Sequence, residues 1–351
     1  MHAAFPSADF AVTRLGVIMR PQEGEPHEAW GVLNPAGVRS ADGTMHLFPR
    51  LVNKDNVSRI GHAHVRYEGD TPTGVERLGI ALEPHDESDE VGGGGLEDPR
   101  VVYVPLLKRY VMTYTAFVTA GPRVAIAISE DLQMWQPLGV LRYEAISGGI
   151  DLNRSGNKDA AFFPDVIFDS QGVPSFGILH RPTTRVADDY SGFDPMNLPH
   201  GEKTREHIWI SYVPVEAALA DIASMTSVRR HERVMAPEQS WEANKVGTGA
   251  PPVRLPYGWV LPYHAVSTLN GRPRYCMGMA ILDLERPSCV LYRTPSPILE
   301  PQTEYERNDR VSAVVFPTAT DLRAAGVLDI FYGAADRVIA VARVILPSRL
   351  P

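Results

Sequence analysis

The 351-residue chain reads as an all-β protein, a five-bladed β-propeller with a short helical insertion, and three observations lead there. Thirty prolines and twenty-nine glycines are spread along its length and argue against long helices. Its apolar runs are short and often alternate with period two, as half-buried strands do. A unit made of a Pro turn, an apolar strand, a polar gap and a second apolar strand recurs five times.

The units follow one another along the chain. The first runs from Asn34-Pro35 to His46 through Arg50, and the second starts at Asp98-Pro99-Arg100 and returns through Tyr110 to Tyr114. The third starts at Phe163-Pro164-Asp165 and ends at His180-Arg181. The fourth pairs Ala250-Pro251-Pro252-Val253 with Trp259 to His264, and the fifth pairs Phe316-Pro317-Thr318 with Leu328 to Gly333. A third alternating strand follows most pairs, as at Val124 to Ser129, His207 to Tyr212, Tyr275 to Leu282 and Val338 to Val344.

The prolines at 35, 99, 164, 251 and 317 are about 65 residues apart, except across one longer interval. That interval holds the best helix candidate, Pro214 to Met225, where Val215, Ala218, Leu219 and Ile222 fall on one face. A lone antiparallel unit of this size cannot bury its apolar faces, whereas units set around an axis bury them against each other. A pair of β-sandwiches is the competing fold, but it requires no such period. The expected division is an N-terminal extension over 1–29, packed on a single propeller over 30–351.

Composition narrows the partners. With 44% hydrophobic residues the chain can bury a large core, and its formal net charge of −8 disfavours nucleic acid, which needs a basic face. No apolar run approaches the ~20 residues that span a bilayer. Met1 to Arg20 lacks the pattern of a secretory signal, so the expected location is cytoplasmic, with no membrane partner. Cys276 and Cys289 are too few for a disulfide framework and read as reduced thiols.

Rotational repetition would gather the Pro turns at one end of a central channel, and the charged residues beside them would converge there. The acids are Glu97, Asp98, Asp151, Asp159, Asp309 and Asp336; the cations are Arg59, Arg100, Lys158, Arg181 and Lys245, with His264 nearby. Taken singly, Glu97-Asp98 could be a turn that caps backbone N–H groups, and Lys158-Asp159 an exposed ion pair. Recurrence at matching places in the repeats favours a shared site. Carboxylates that bind hydroxyls and supply a proton suit a sugar, and several cations suit an anion.

Separated motifs resemble glycoside hydrolase family 130, the β-mannoside phosphorylases and related β-mannosidases. They are Leu-Glu-Asp-Pro-Arg-Val (96–101) with Tyr-Val-Met-Thr-Tyr-Thr-Ala (110–116), Asn-Lys-Asp-Ala-Ala-Phe-Phe-Pro (157–164) and His-Arg-Pro (180–182). Further along come His-Ile-Trp-Ile-Ser-Tyr (207–212), Trp241 to Gly247, Gly-Trp-Val-Leu-Pro-Tyr-His (258–264) and Phe-Tyr-Gly-Ala-Ala-Asp (331–336). The resemblance spans roughly 30–346 and implies the same five-bladed fold.

It also implies a reaction. Asp98 would be the proton donor, acting through a hydroxyl of the mannosyl unit, while inorganic phosphate attacks the anomeric carbon from the opposite face and gives α-mannose 1-phosphate. Lys158, Arg181, Lys245 and His264 would hold phosphate, with Arg59 as a further member; Lys158 stands where an arginine is found in some phosphorylases. Glu97, Arg100, Tyr114, Asp159, Asp309 and Asp336 would contact sugar. No metal or organic cofactor is required.

Two other readings stay open. An inverting hydrolase would need a carboxylate base on the phosphate side, and Glu206 is one candidate. A non-catalytic glycan-binding propeller would need neither donor nor anion site. Linkage preference, β-1,2 or β-1,4, and assembly as a homo-oligomer are not legible in composition.

Overall fold

The computed structural model describes residues 10–84, 95–118, 121–146, 151–183, 206–307, 313–324 and 326–349, and these form a nearly all-β, propeller-like architecture with one α-helix. Period-two alternation explains the strands: alternate side chains of each enter the space between adjacent sheets.

Two sheets are four-stranded meanders. One holds Gly31–Arg39, Met45–Val52, Ser58–Glu68 and Thr71–Leu82; the next holds Leu96–Val104, Arg109–Val118, Gly121–Ser129 and Gln136–Val140. A six-stranded sheet is built on Gly156–Phe162, Pro174–Thr183, Ile208–Pro214 and Ser227–Met235. The last sheet has nine strands in two antiparallel parts. Lys245–Thr248, Gly258–Leu269 and Arg272–Leu282 form one, and Ala313–Ala324, Val327–Ala334 and Val338–Ile345 form the other. Among the described residues the two parts are hydrogen-bonded to each other where Arg274 and Tyr275 pair in parallel with Ala313 and Val314.

The core lies between neighbouring sheets. Phe48 and Ile60 of the first pack with Leu96, Val101 and Met112 of the second, whose other face puts Val102, Val111 and Ile126 against Phe162, Phe176 and Ile178. Each such side chain taken from water contributes about 1.5–3 kcal/mol. Strand Ala11–Met19, within the expected N-terminal extension, joins the last sheet antiparallel to Val338–Ile345.

The insertion is shorter than expected. The α-helix covers Val215–Ala220 and stops at Asp221, an extended residue whose carboxylate accepts from the Ala223 N–H and starts a 3-10 turn, Ile222–Thr226. Ala218 and Met225 are buried, whereas Leu219, assigned to the apolar face, is exposed. No helix among the described residues is long and apolar enough to cross a membrane.

The proline markers are not all equivalent. Pro35, Pro99 and Pro317 stand inside strands, where register shifts interrupt the ladder and a missing N–H costs nothing. Pro164 and Pro251 instead follow their strands, Gly156–Phe162 and Lys245–Thr248, which begin several residues before the expected third and fourth units. Only two residues pair in the strand Ile167–Phe168 and three in Val253–Leu255.

Candidate active site

Three β-bulges build the floor of the site. In each, two residues oppose one: Asn34-Pro35 opposite Pro49, Asp98-Pro99 opposite Tyr114, and Asp159-Ala160 opposite His180. The first residue of each pair is left-handed, with φ of 42° at Asn34, 47° at Asp98 and 55° at Asp159. Asn and Asp tolerate this conformation better than other side chains, and a bulge re-aims the side chain it carries. All three reach one cavity of about 970 Å³.

Asp98 is held from two sides. The Asn34 amide donates to its Oδ1 over 2.8 Å and the Arg50 guanidinium donates to the same oxygen over 3.2 Å. Arg50 also binds Glu97 at 2.6 Å, and Lys158 closes on the other Glu97 oxygen at 3.0 Å, with its ammonium 4.4 Å from the Phe117 ring centroid. Burial would raise the Asp98 pKa, but the charges of Arg50 and Arg100 and the Asn34 hydrogen bond outweigh it and hold the carboxyl below its ordinary value.

A second group faces the same cavity. Arg181 Nε donates to Asp159 Oδ2 over 2.6 Å, and its guanidinium also meets Glu206. Lys245 Nζ lies 3.9 Å from the same Glu206 oxygen. Asp159 is lowered in pKa because Arg181, His264 and Arg100 outweigh its desolvation.

His264 departs from the expected cation. Its ring is fully buried, which depresses its pKa to about 3; Asp159 opposes that shift, while Arg181, Lys245 and Arg100 reinforce it. At neutral pH it is an uncharged imidazole that offers one N–H. Its Nε2 stands 3.4 Å from Asp159 Oδ2, and Phe316 packs on the ring at 4.3 Å.

The cations of the wall are each matched by acids. Lys158 is matched by Glu97, Arg181 by Asp159 and Glu206, and Lys245 by Glu206. Along the wall Arg50, Lys158, Arg181 and Lys245 face Glu97, Asp98, Asp159, Glu206 and Asp336, so charge is nearly balanced.

Glu97, Asp98, Lys158, Asp159, Arg181, Lys245, His264 and Asp336 thus share the cavity. Arg100, Tyr114 and Arg59 do not line it. Arg100 lies beneath the floor, donating to the Thr248, Gly249 and Asp98 carbonyls at 2.9, 3.0 and 2.8 Å, so backbone rather than ligand occupies its fork. Tyr114, opposite the Asp98 bulge, is buried in the core between two sheets. Arg59 follows Ser58, whose backbone forms a bridge to Gly95. Asp309 lies outside the described residues.

Asn34 and Arg50 were missed by sequence reasoning. Asn34 had a visible signal, since Asn34-Pro35 occupies the place of Asp98-Pro99 in the first unit. Arg50 had none: its reach to Glu97 and Asp98 depends on the packing of two sheets. Tyr275 and Phe316 add an aromatic wall.

A family profile described as beta-1,4-mannooligosaccharide phosphorylase matches residues 9–347. Similar proteins include a 1,2-beta-oligomannan phosphorylase of Thermoanaerobacter sp. (strain X514), 29% identical over 93% of each chain. A beta-1,2-mannobiose phosphorylase of the same strain is also 29% identical, over 95% of this chain and 97% of the other. The structure of a beta-1,2-mannobiose phosphorylase from Listeria innocua with beta-1,2-mannobiose superimposes with a TM-score of 0.68 at 22% identity, covering 95% and 96% of the two chains. At that identity the superposition speaks for the fold alone.

Proposed function

Because the chain belongs to glycoside hydrolase family 130, we propose that it cleaves β-1,2- or β-1,4-linked mannosides by inverting phosphorolysis, releasing α-mannose 1-phosphate. The convergence of Arg181 and Lys245 on one carboxylate oxygen of Glu206 carries this reading. Two cations that meet at an oxyanion within a cavity of this size form a seat that a phosphate oxygen could take. Lys158 and the His264 N–H stand at the same wall and supply further donors.

In the reaction, phosphate oxygen attacks the anomeric carbon, the bond from that carbon to the bridging oxygen breaks, and the leaving oxygen takes a proton relayed from Asp98 through a sugar hydroxyl. Free Asp98 is ionised at neutral pH, so the proton must be taken up as ligands bind. Phosphate adds negative charge and sugar displaces water, and both favour the protonated carboxyl. The proposal needs inorganic phosphate as co-substrate and no other cofactor. We also read the nine-stranded sheet as two blades divided at its short parallel seam, which makes the fold five-bladed, with 30–351 as one catalytic domain behind the extension 1–29.

Hydrolysis is the second reading, because Glu206 reaches the wall and could serve as a base for water. Incubating the protein with β-1,2- and β-1,4-mannosides, with and without phosphate, separates the two. Phosphorolysis predicts sugar phosphate that appears only when phosphate is added, and a Glu206→Gln variant that keeps turnover. Free mannose released equally in both conditions, and lost in Glu206→Gln, would replace phosphorolysis by hydrolysis.

A further inference from the structure

Three histidines outside the sugar cavity come together in the first sheet. His62 and His64, two residues apart on Ser58–Glu68, share a face of that strand, and His46 is the cross-strand partner of His64. One ring nitrogen from each lies within 4.8 Å of the other two. His46 Nδ1 and His62 Nε2 are 2.9 Å apart, while the buried His64 Nε2 has no hydrogen-bond partner among the described residues. Phe48 stacks on the His62 ring at 4.7 Å, and Trp135, just before the strand Gln136–Val140 of the second sheet, packs edge-on against Phe48 at 5.3 Å.

Packing alone gives a poor account of this arrangement. Three imidazoles share one hydrogen bond, and a buried acceptor or donor left unmade costs about 1–3 kcal/mol. Imidazole nitrogens around a tetrahedral Zn²⁺, at Zn–N distances of about 2.0–2.1 Å, are separated by roughly 3.3 Å. One pair of nitrogens stands 2.9 Å apart and one nitrogen of each ring lies within 4.8 Å of the others, so the three rings already surround a space of that scale.

We propose that His46, His62 and His64 bind one Zn²⁺ per chain, with a fourth position open to an exchangeable ligand on the half-buried His64 side. Of the acids nearby, Asp42 already accepts at Oδ1 from the Ser40 hydroxyl and the Thr44 N–H, and Glu76, the cross-strand partner of His64, lies 3.8 Å from Arg66. The metal would tie Met45–Val52 to Ser58–Glu68 on the face that meets the second sheet. None of the three histidines lines the sugar cavity, so its role is to hold the fold rather than to take part in glycoside cleavage.

The test uses the full chain, stripped with a chelator and titrated with Zn²⁺ alone by calorimetry, with Co²⁺ as a spectroscopic probe. The expected result is one ion per chain, a higher melting temperature, and Co²⁺ absorption of tetrahedral, nitrogen-ligated type. His64→Gln should weaken binding by about 10-fold or more and leave mannoside cleavage at the wild-type rate. Should that variant fail to fold, the wild-type Co²⁺ spectrum decides. Absence of stoichiometric uptake, an octahedral spectrum, or Zn²⁺ binding unchanged in a folded His64→Gln protein would overturn the proposal.

Discussion

Asp98 carries a tension between its role and its charge. A proton donor must be protonated when the bond breaks, yet Arg50, Arg100 and Asn34 stabilise its carboxylate in the free protein. Activity that needs the protonated form is lost as pH rises through its pKa. The alkaline limb of kcat/KM, which reports the free protein, should therefore begin at lower pH than that of kcat, which reports the complex. Superimposed limbs would refute proton uptake on binding. Asp98→Asn should lower kcat by about 10²–10⁴-fold while the melting temperature stays near wild type, since Arg50 keeps Glu97 as a partner; rates within a few-fold of wild type would remove Asp98 from the chemistry. At this scale most of the acids and cations of the wall were legible, Arg50 excepted, because charge beside a repeated turn is visible in sequence. The uncharged state of His264 was not, because it follows from complete burial beside three cations.

Among the elements, the bulged inner strands decide where side chains point. Asn34, Asp98 and Asp159 are aimed by the same two-against-one irregularity in three different sheets. Lys245–Thr248 contributes a void instead. A Cβ on Gly247 would lie 2.3 Å from His264 Cε1 and 2.5 Å from Asp159 Oδ2, and neither buried side chain has room to retreat. Gly247→Ala should cost about 1–3 kcal/mol of stability and lower kcat/KM for mannosides, measured by thermal melts and steady-state rates. Wild-type values for both would show the site to be looser than its packing indicates. Repetition was legible because the Pro turns recur, but its phase was not: Asp159-Ala160 makes the bulge without a proline, and Pro164 and Pro251 mark the turns that follow.

In the whole molecule, the chain closes on itself. Ala11 pairs with Ile345 and Met19 with Ile339, so the N-terminal strand covers what would otherwise be an open sheet edge. Arg14 reaches across to the buried carboxylate of Glu306 at 2.9 Å, and Phe10, Ile18 and Met19 are buried with the strand. At about 1.5–3 kcal/mol for each apolar side chain, this clasp is comparable to the ~5–15 kcal/mol stability of an ordinary domain. Removing residues 1–19 should give a chain that aggregates or melts far below wild type in calorimetry; an unchanged, cooperative transition would contradict a stabilising role. Such closure was hidden from sequence because it joins residues from opposite ends, and only the alternation of each strand is local.

The near-balance of charge along the cavity wall sets the terms on which an anion can enter. Glu206 is tethered beside Arg181 and Lys245 and acts as a resident competitor, at an effective concentration on the order of millimolar or above. An incoming phosphate exchanges one counter-ion for another, so its affinity reflects a difference between two anions rather than the full attraction of the cations. The same competitor is at hand when a sugar phosphate has formed and must leave. A wall of this kind favours traffic over retention.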